Sequence, residues 1–312
     1  MNRKNAKRVL ETAAGFGAVL VGSAVFNAVQ VKRAEARHPP LGKFVTIGNT
    51  RLHYVERGEG PPVVLIHGNA TMIHDWIISG ALDALARSHR VIAFDRPGFG
   101  YSDRPRDQIW TPKAQADVLR AALSRLDVTD ATVIGHSLGT QVAIALALDH
   151  PEAVGRLILL GGYYFATPRL DVAIASGASL PLVGDILSET LSPLVGAATS
   201  PLASAKLFSP APVTEAWHTG FPHGLALRPS QMRAEAADGA QITQTAMVLA
   251  KRYWELTLPV TIIAGAGDKI SNPVRQSKRL HETLASSTFS LVEGSGHMVH
   301  HTALPVLMAA AG

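Results

Sequence analysis

Past residue 43 the chain alternates short apolar, β-branched runs with longer stretches in which apolar residues recur every three or four positions. The runs lie at 44–47, 52–55, 63–66, 91–94, 131–134, 157–160, 260–264 and 288–292. Runs of this length read as strands, and strands separated by helical patterns argue for a parallel sheet covered on both faces. Gly48-Asn49-Thr50 between the first two runs is a hairpin signal. Thr111-Pro112 reads as an N-cap followed by proline in the first turn, ahead of Ala116, Leu119, Ala122, Leu123 and Leu126 at helical spacing. A second helix is expected from Ser137 to Leu148, stopped at His150-Pro151. The expected fold class is therefore α/β: a mostly parallel eight-stranded sheet with helices on both faces. Residues 166–228 break the alternation, with only seven charged residues (Arg169, Asp171, Asp185, Glu189, Lys206, Glu215, Arg228) and prolines 181, 193, 201, 210 and 212, as expected of short helices laid over a site.

The N-terminus has a different pattern. Residues 12–31 carry no charge, and a helix of that length spans about 30 Å, the thickness of a bilayer's hydrocarbon core. The reading is a membrane helix flanked by basic residues, with a signal peptide cut near Gly22-Ser23-Ala24 and a soluble amphipathic helix as alternatives. Four basic residues before the stretch and three after it favour a cytoplasmic N-terminus only slightly. The domains expected are an anchor and linker at 1–40, a core in two parts at 41–162 and 256–312, and a helical cap at 163–255. Seven of the 29 basic and two of the 24 acidic residues fall in 1–37, which thus holds the whole net charge of +5. The neutral body offers no footprint for a nucleic acid.

There is no cysteine among the 312 residues, which excludes disulfides, thiolate metal sites and thiol nucleophiles. Covalent chemistry must come from another side chain. Gly135-His136-Ser137-Leu138-Gly139 closes the run 131–134 and opens a helical pattern. A serine on such a sharp turn projects its hydroxyl from the sheet, and the backbone N–H of Leu138 is aimed at a developing oxyanion. A serine needs a base, and the base needs an orienting acid, in the chain order Ser, acid, His for this turn. Asp268 follows the strand 260–264, and His297 follows the last strand. His67-Gly68-Asn69 supplies a second N–H, that of Asn69, with His67 read as structural. Asp95 to Ser102 reads as a tight Pro-Gly loop without chemistry. His300 and His301 read as solvated residues at a helix start, since their spacing is not that of a zinc motif and no neighbouring carboxylate joins them; no metal is expected.

These motifs, in this order, resemble the α/β-hydrolase superfamily over residues 41–312. The resemblance implies Ser137 as nucleophile, Asp268 as acid, His297 as base, an oxyanion hole from Asn69 and Leu138, and a cap at about 163–255. Haloalkane dehalogenases and epoxide hydrolases carry an aspartate nucleophile where this chain has Ser137. The expected function is hydrolysis of carboxylic esters of apolar small molecules, without a cofactor, by an enzyme held at the membrane through residues 12–31. A carbon–carbon bond hydrolase, a cofactor-free haloperoxidase or perhydrolase, and a ligand-sensing module with vestigial turnover are the alternatives.

Overall fold

The computed structural model describes residues 3–167 and 183–312. Arg169, Asp171 and Pro181 of the expected insertion lie outside the described residues.

Eight strands form one sheet: β1 (Lys43–Ile47), β2 (Thr50–Arg57), β3 (Pro62–Ile66), β4 (Arg90–Phe94), β5 (Ala131–His136), β6 (Val154–Leu160), β7 (Val260–Gly265) and β8 (Ser287–Val292). Their spatial order is β1-β2-β4-β3-β5-β6-β7-β8. β2 pairs antiparallel with β1 and β4, and all other pairs are parallel. The hairpin forms where expected, with Ile47 opposite Thr50 and Gly48 at φ 58°. Alternate residues of the central strands feed two cores. Val64, Ile66, Val133, Leu157, Leu159 and Ile262 pack on one face. Val63, Leu65, Ile134, Ile158, Leu160 and Ile263 pack on the other. This two-sided burial is why the runs are continuously apolar rather than alternating.

In chain order the first helices are α1 (Arg3–Arg37), α2 (Ile73–Ile78), α3 (Ala81–Leu85), α4 (Pro112–Arg125) and α5 (Gly139–Asp149). The Thr111 hydroxyl caps α4 by accepting from the N–H of Ala114 at 3.1 Å. Between β6 and β7 the chain builds helices at Val183–Glu189, Ser192–Phe208, Glu215–Gly220, His223–Ala226 and Pro229–Ala250.

The expected membrane span is corrected. Among the described residues no helix is long and apolar enough to cross a membrane. Instead α1 docks on the insertion. The Asn27 side-chain amide donates to the carbonyls of Glu189 (2.8 Å) and Thr190 (2.7 Å), and the Ser23 hydroxyl donates to the latter at 2.7 Å. These carbonyls are orphans at the end of the Val183–Glu189 helix, so the polar residue inside the uncharged stretch caps a neighbouring helix. Ala34 is buried with Phe208, Trp217, Phe221 and Leu225. Glu35 pairs with Arg228 at 3.1 Å.

Candidate active site

Ser137 sits between β5 and α5 at φ 52°, a left-handed conformation strained for any residue but glycine. The flanking glycines make the turn feasible. A Cβ on Gly135 would come within 2.8 Å of the Gly139 carbonyl oxygen, and one on Gly139 within 2.4 Å of that of Ile66. Ser137 itself is half-buried.

Asp268 and His297 lie beyond the ends of β7 and β8, and the parallel sheet brings both to the side of the elbow. His297 Nδ1 and Asp268 Oδ2 are 2.7 Å apart. A carboxylate only accepts, so Nδ1 carries the proton and Nε2 is left as the basic nitrogen. The second carboxylate oxygen accepts from the backbone N–H groups of Ile270 (2.7 Å) and Ser271 (2.9 Å), so Asp268 cannot rotate without losing bonds. Both side chains are buried. The His297 carbonyl is 3.1 Å from Nε2 of His136, the residue before Ser137, which ties the histidine loop to the elbow.

The His67-Gly68-Asn69 loop abuts the elbow: a Cβ on Gly68 would lie 3.0 Å from that of Ser137. Among the described residues the backbone N–H groups of Asn69 and Leu138 donate to no protein acceptor. The Asn69 side chain donates to the carbonyl of Glu235 at 3.1 Å, joining this loop to the Pro229–Ala250 helix above it. Burial and the neighbouring Asp238 push the Glu235 carboxyl up to about 7.

His67 is structural, as its position suggested. Its Nε2 accepts from the N–H of Arg96 at 2.9 Å and its Nδ1 meets the Gly68 carbonyl at 2.7 Å. Burial, with Arg96 adding, lowers its pKa to about 4, so it is neutral. The loop from Asp95 to Ser102 is more than a tight turn. Arg96 donates to the carbonyls of His67 and Gly68, both at 3.0 Å, and to Asp238 at 2.6 Å. Arg96 therefore shapes the His67-Gly68-Asn69 loop and pins the insertion to it. Its partners are remote in sequence, which is why the motif alone did not disclose this role. Asp238, bonded also to Arg104 at 2.8 Å, is fully engaged there.

His300 and His301 differ from expectation. They are not solvated, and a carboxylate does join them: Asp75 Oδ1 lies 3.0 Å from His300 Nε2 and 2.7 Å from His301 Nε2. Asp75 comes from α2, 225 positions before His300, beyond the reach of local spacing.

A family model described as the alpha/beta hydrolase fold matches residues 61–304. An uncharacterized protein of Mycobacterium tuberculosis is 32% identical over 274 residues, covering 84% of this chain and 77% of the relative. A 2-hydroxymuconate semialdehyde hydrolase from Pseudomonas sp. (strain CF600) is 36% identical over 129 residues, covering 41% of this chain and 46% of that protein. Among solved structures, an alpha/beta hydrolase fold protein from Burkholderia ambifaria aligns with a TM-score of 0.74 at 23% identity, over 86% of this chain and 96% of that one. Together with the sheet order and the serine elbow, these matches establish that the chain belongs to the α/β hydrolase family and is a hydrolase.

Proposed function

We propose that the enzyme cleaves carboxylic esters with an apolar acyl or alcohol part through an acyl-enzyme on Ser137. The observation that carries this reading is the 2.7 Å pair of His297 with a doubly anchored Asp268, at the elbow where two backbone N–H groups stand unused. Ser137 Oγ attacks the ester carbonyl while His297 Nε2 takes its proton. The N–H groups of Asn69 and Leu138 hold the oxyanion. The proton then leaves with the alcohol, and water, activated by the same imidazole, releases the acid. The apolar preference is supported by the insertion between β6 and β7, where residues 166–228 carry only seven charged side chains. A serine nucleophile argues against the aspartyl mechanism of epoxide hydrolases. Cleavage of a carbon–carbon bond by the same groups is the second reading, favoured by the partial match to 2-hydroxymuconate semialdehyde hydrolase.

The test is turnover of p-nitrophenyl esters of increasing chain length, with labelling of Ser137 by a fluorophosphonate. Ser137→Ala should abolish labelling and lower turnover by several orders of magnitude while the fold persists, because only the attacking atom is lost. Near wild-type turnover in the folded variant would overturn the assignment. Turnover of a ring-fission semialdehyde but of no ester would favour the second reading.

A further inference from the structure

Behind the elbow, three further imidazoles gather around one buried carboxylate. Asp75 accepts from His300 and His301 through Oδ1, while its Oδ2 has no partner and faces His136 Nδ1 at 3.9 Å. The His136 ring lies between those of His297 and His300, with centroids 5.0 and 4.5 Å away. Its Nε2, 3.1 Å from the His297 carbonyl, must carry the proton, since a carbonyl only accepts.

Asp75, His300 and His301 are close enough to enclose a cation, but the second nitrogen of His300 argues for hydrogen bonds instead. A metal-bound histidine hands its other ring N–H to an acceptor. His300 Nδ1 is buried and has none. Were Nε2 on a metal, Nδ1–H would be a stranded donor. With Nε2–H donating to Asp75, Nδ1 is a bare lone pair, the less costly orphan.

We infer that Asp75 and His136 are positioning residues for His297, an assignment that rests on His297 acting as the base. The short segment after the catalytic imidazole is pinned at both ends. His136 holds the main-chain carbonyl of His297, and Asp75 holds the side chain of His300, three residues on. Asp75 stays ionised in this role: burial opposes its charge, but His300 and His301 outweigh that and hold the carboxyl well below its usual range. A base displaced by a fraction of an ångström loses alignment with the serine hydroxyl, so the brace acts on rate rather than on substrate affinity.

The experiment compares wild-type enzyme with Asp75→Asn and with the pair His136→Leu and His136→Gln. Asp75→Asn and His136→Leu should lower kcat by about 10- to 100-fold with KM within about twofold. His136→Gln, whose amide can donate to the same carbonyl, should recover most of the loss. The His297 Nδ1–H resonance, followed by 1H–15N NMR whether or not a given ester turns over, should exchange faster with solvent in His136→Leu and return toward wild type in His136→Gln, because the loop that holds the ring loses and then regains its bond. Folded His136→Leu with wild-type kcat, or with an unchanged His297 Nδ1–H exchange rate, would overturn the inference. If Asp75→Asn does not fold, the His136 pair decides. Failure of the wild-type protein to react with a fluorophosphonate would count against the acyl-enzyme alone, and the Nδ1–H exchange would still decide the brace.

Discussion

Asp268 uses both carboxylate oxygens, one on His297 and the other on two backbone N–H groups. In Asp268→Asn the amide oxygen keeps the backbone bonds and the NH2 group turns to His297 Nδ1, which forces that nitrogen to accept and moves the proton to Nε2, where it blocks catalysis. The serine-protease precedent for such a tautomer change is a loss on the order of 10⁴ in kcat. A loss below tenfold in steady-state kinetics would point to another acid. Asp238 is a poor substitute, being committed to Arg96 and Arg104. Ser137, Asp268 and His297 were legible because each follows a strand whose apolar run marks where the chain must emerge. Asp75, His136 and Arg96 were not, because their polar partners stand 225, 161 and 142 positions away and only the folded sheet brings them together.

Elements show the same division between local and remote causes. The α4 cap was readable because Thr111 and Ala114 are three residues apart. The docking of α1 was not, because an uncharged stretch suits a bilayer and a protein surface alike. Asn27, inside that stretch, was the available signal, since an amide is costly in hydrocarbon unless it finds a partner. Val19, Val25 and Phe26 remain half or more exposed, so α1 is covered on one side only. Removing residues 1–37 should uncover Phe221 and Leu225, strip the cap from the Val183–Glu189 helix and unpair Arg228. A destabilisation of about 2–3 kcal/mol is expected from one buried contact, the lost hydrogen bonds and a partly exposed ion pair. Thermal melting should fall by roughly 3–6 °C. Removing residues 1–16 alone should leave it unchanged. Equal melting of the two truncations would show that the docked half of α1 adds nothing to stability.

Over the whole molecule, eight strands and their mostly parallel pairing could be read from the runs and the helices between them. The order of the strands is set by the crossover connections between parallel strands rather than by any single residue. The same two-sided core that makes the sheet also buries neutral imidazoles, and this has a pH signature. His67, lowered to about 4 by burial and Arg96, binds its proton less readily folded than unfolded. Its contribution is complete above the unfolded value of about 6.5 and is lost as pH falls through about 4, a change of about 3 kcal/mol. His136, also pushed down by burial and by its imidazole neighbours, adds in the same direction. Urea midpoints should therefore fall between pH 7 and pH 4. A flat profile would mean that these rings are protonated in the native state.

Asn27 grips the carbonyls at the end of one insertion helix, and Glu35 grips Arg228 at the start of another. The N-terminal helix is thereby a handle on the insertion, whose Leu207 carbonyl accepts from the N–H of His297 at 2.9 Å. Whatever load is fastened to the chain's start, be it a surface, a scaffold or a fused domain, pulls on a segment hydrogen-bonded to the main chain of His297, so attachment there and the placement of that imidazole are mechanically connected.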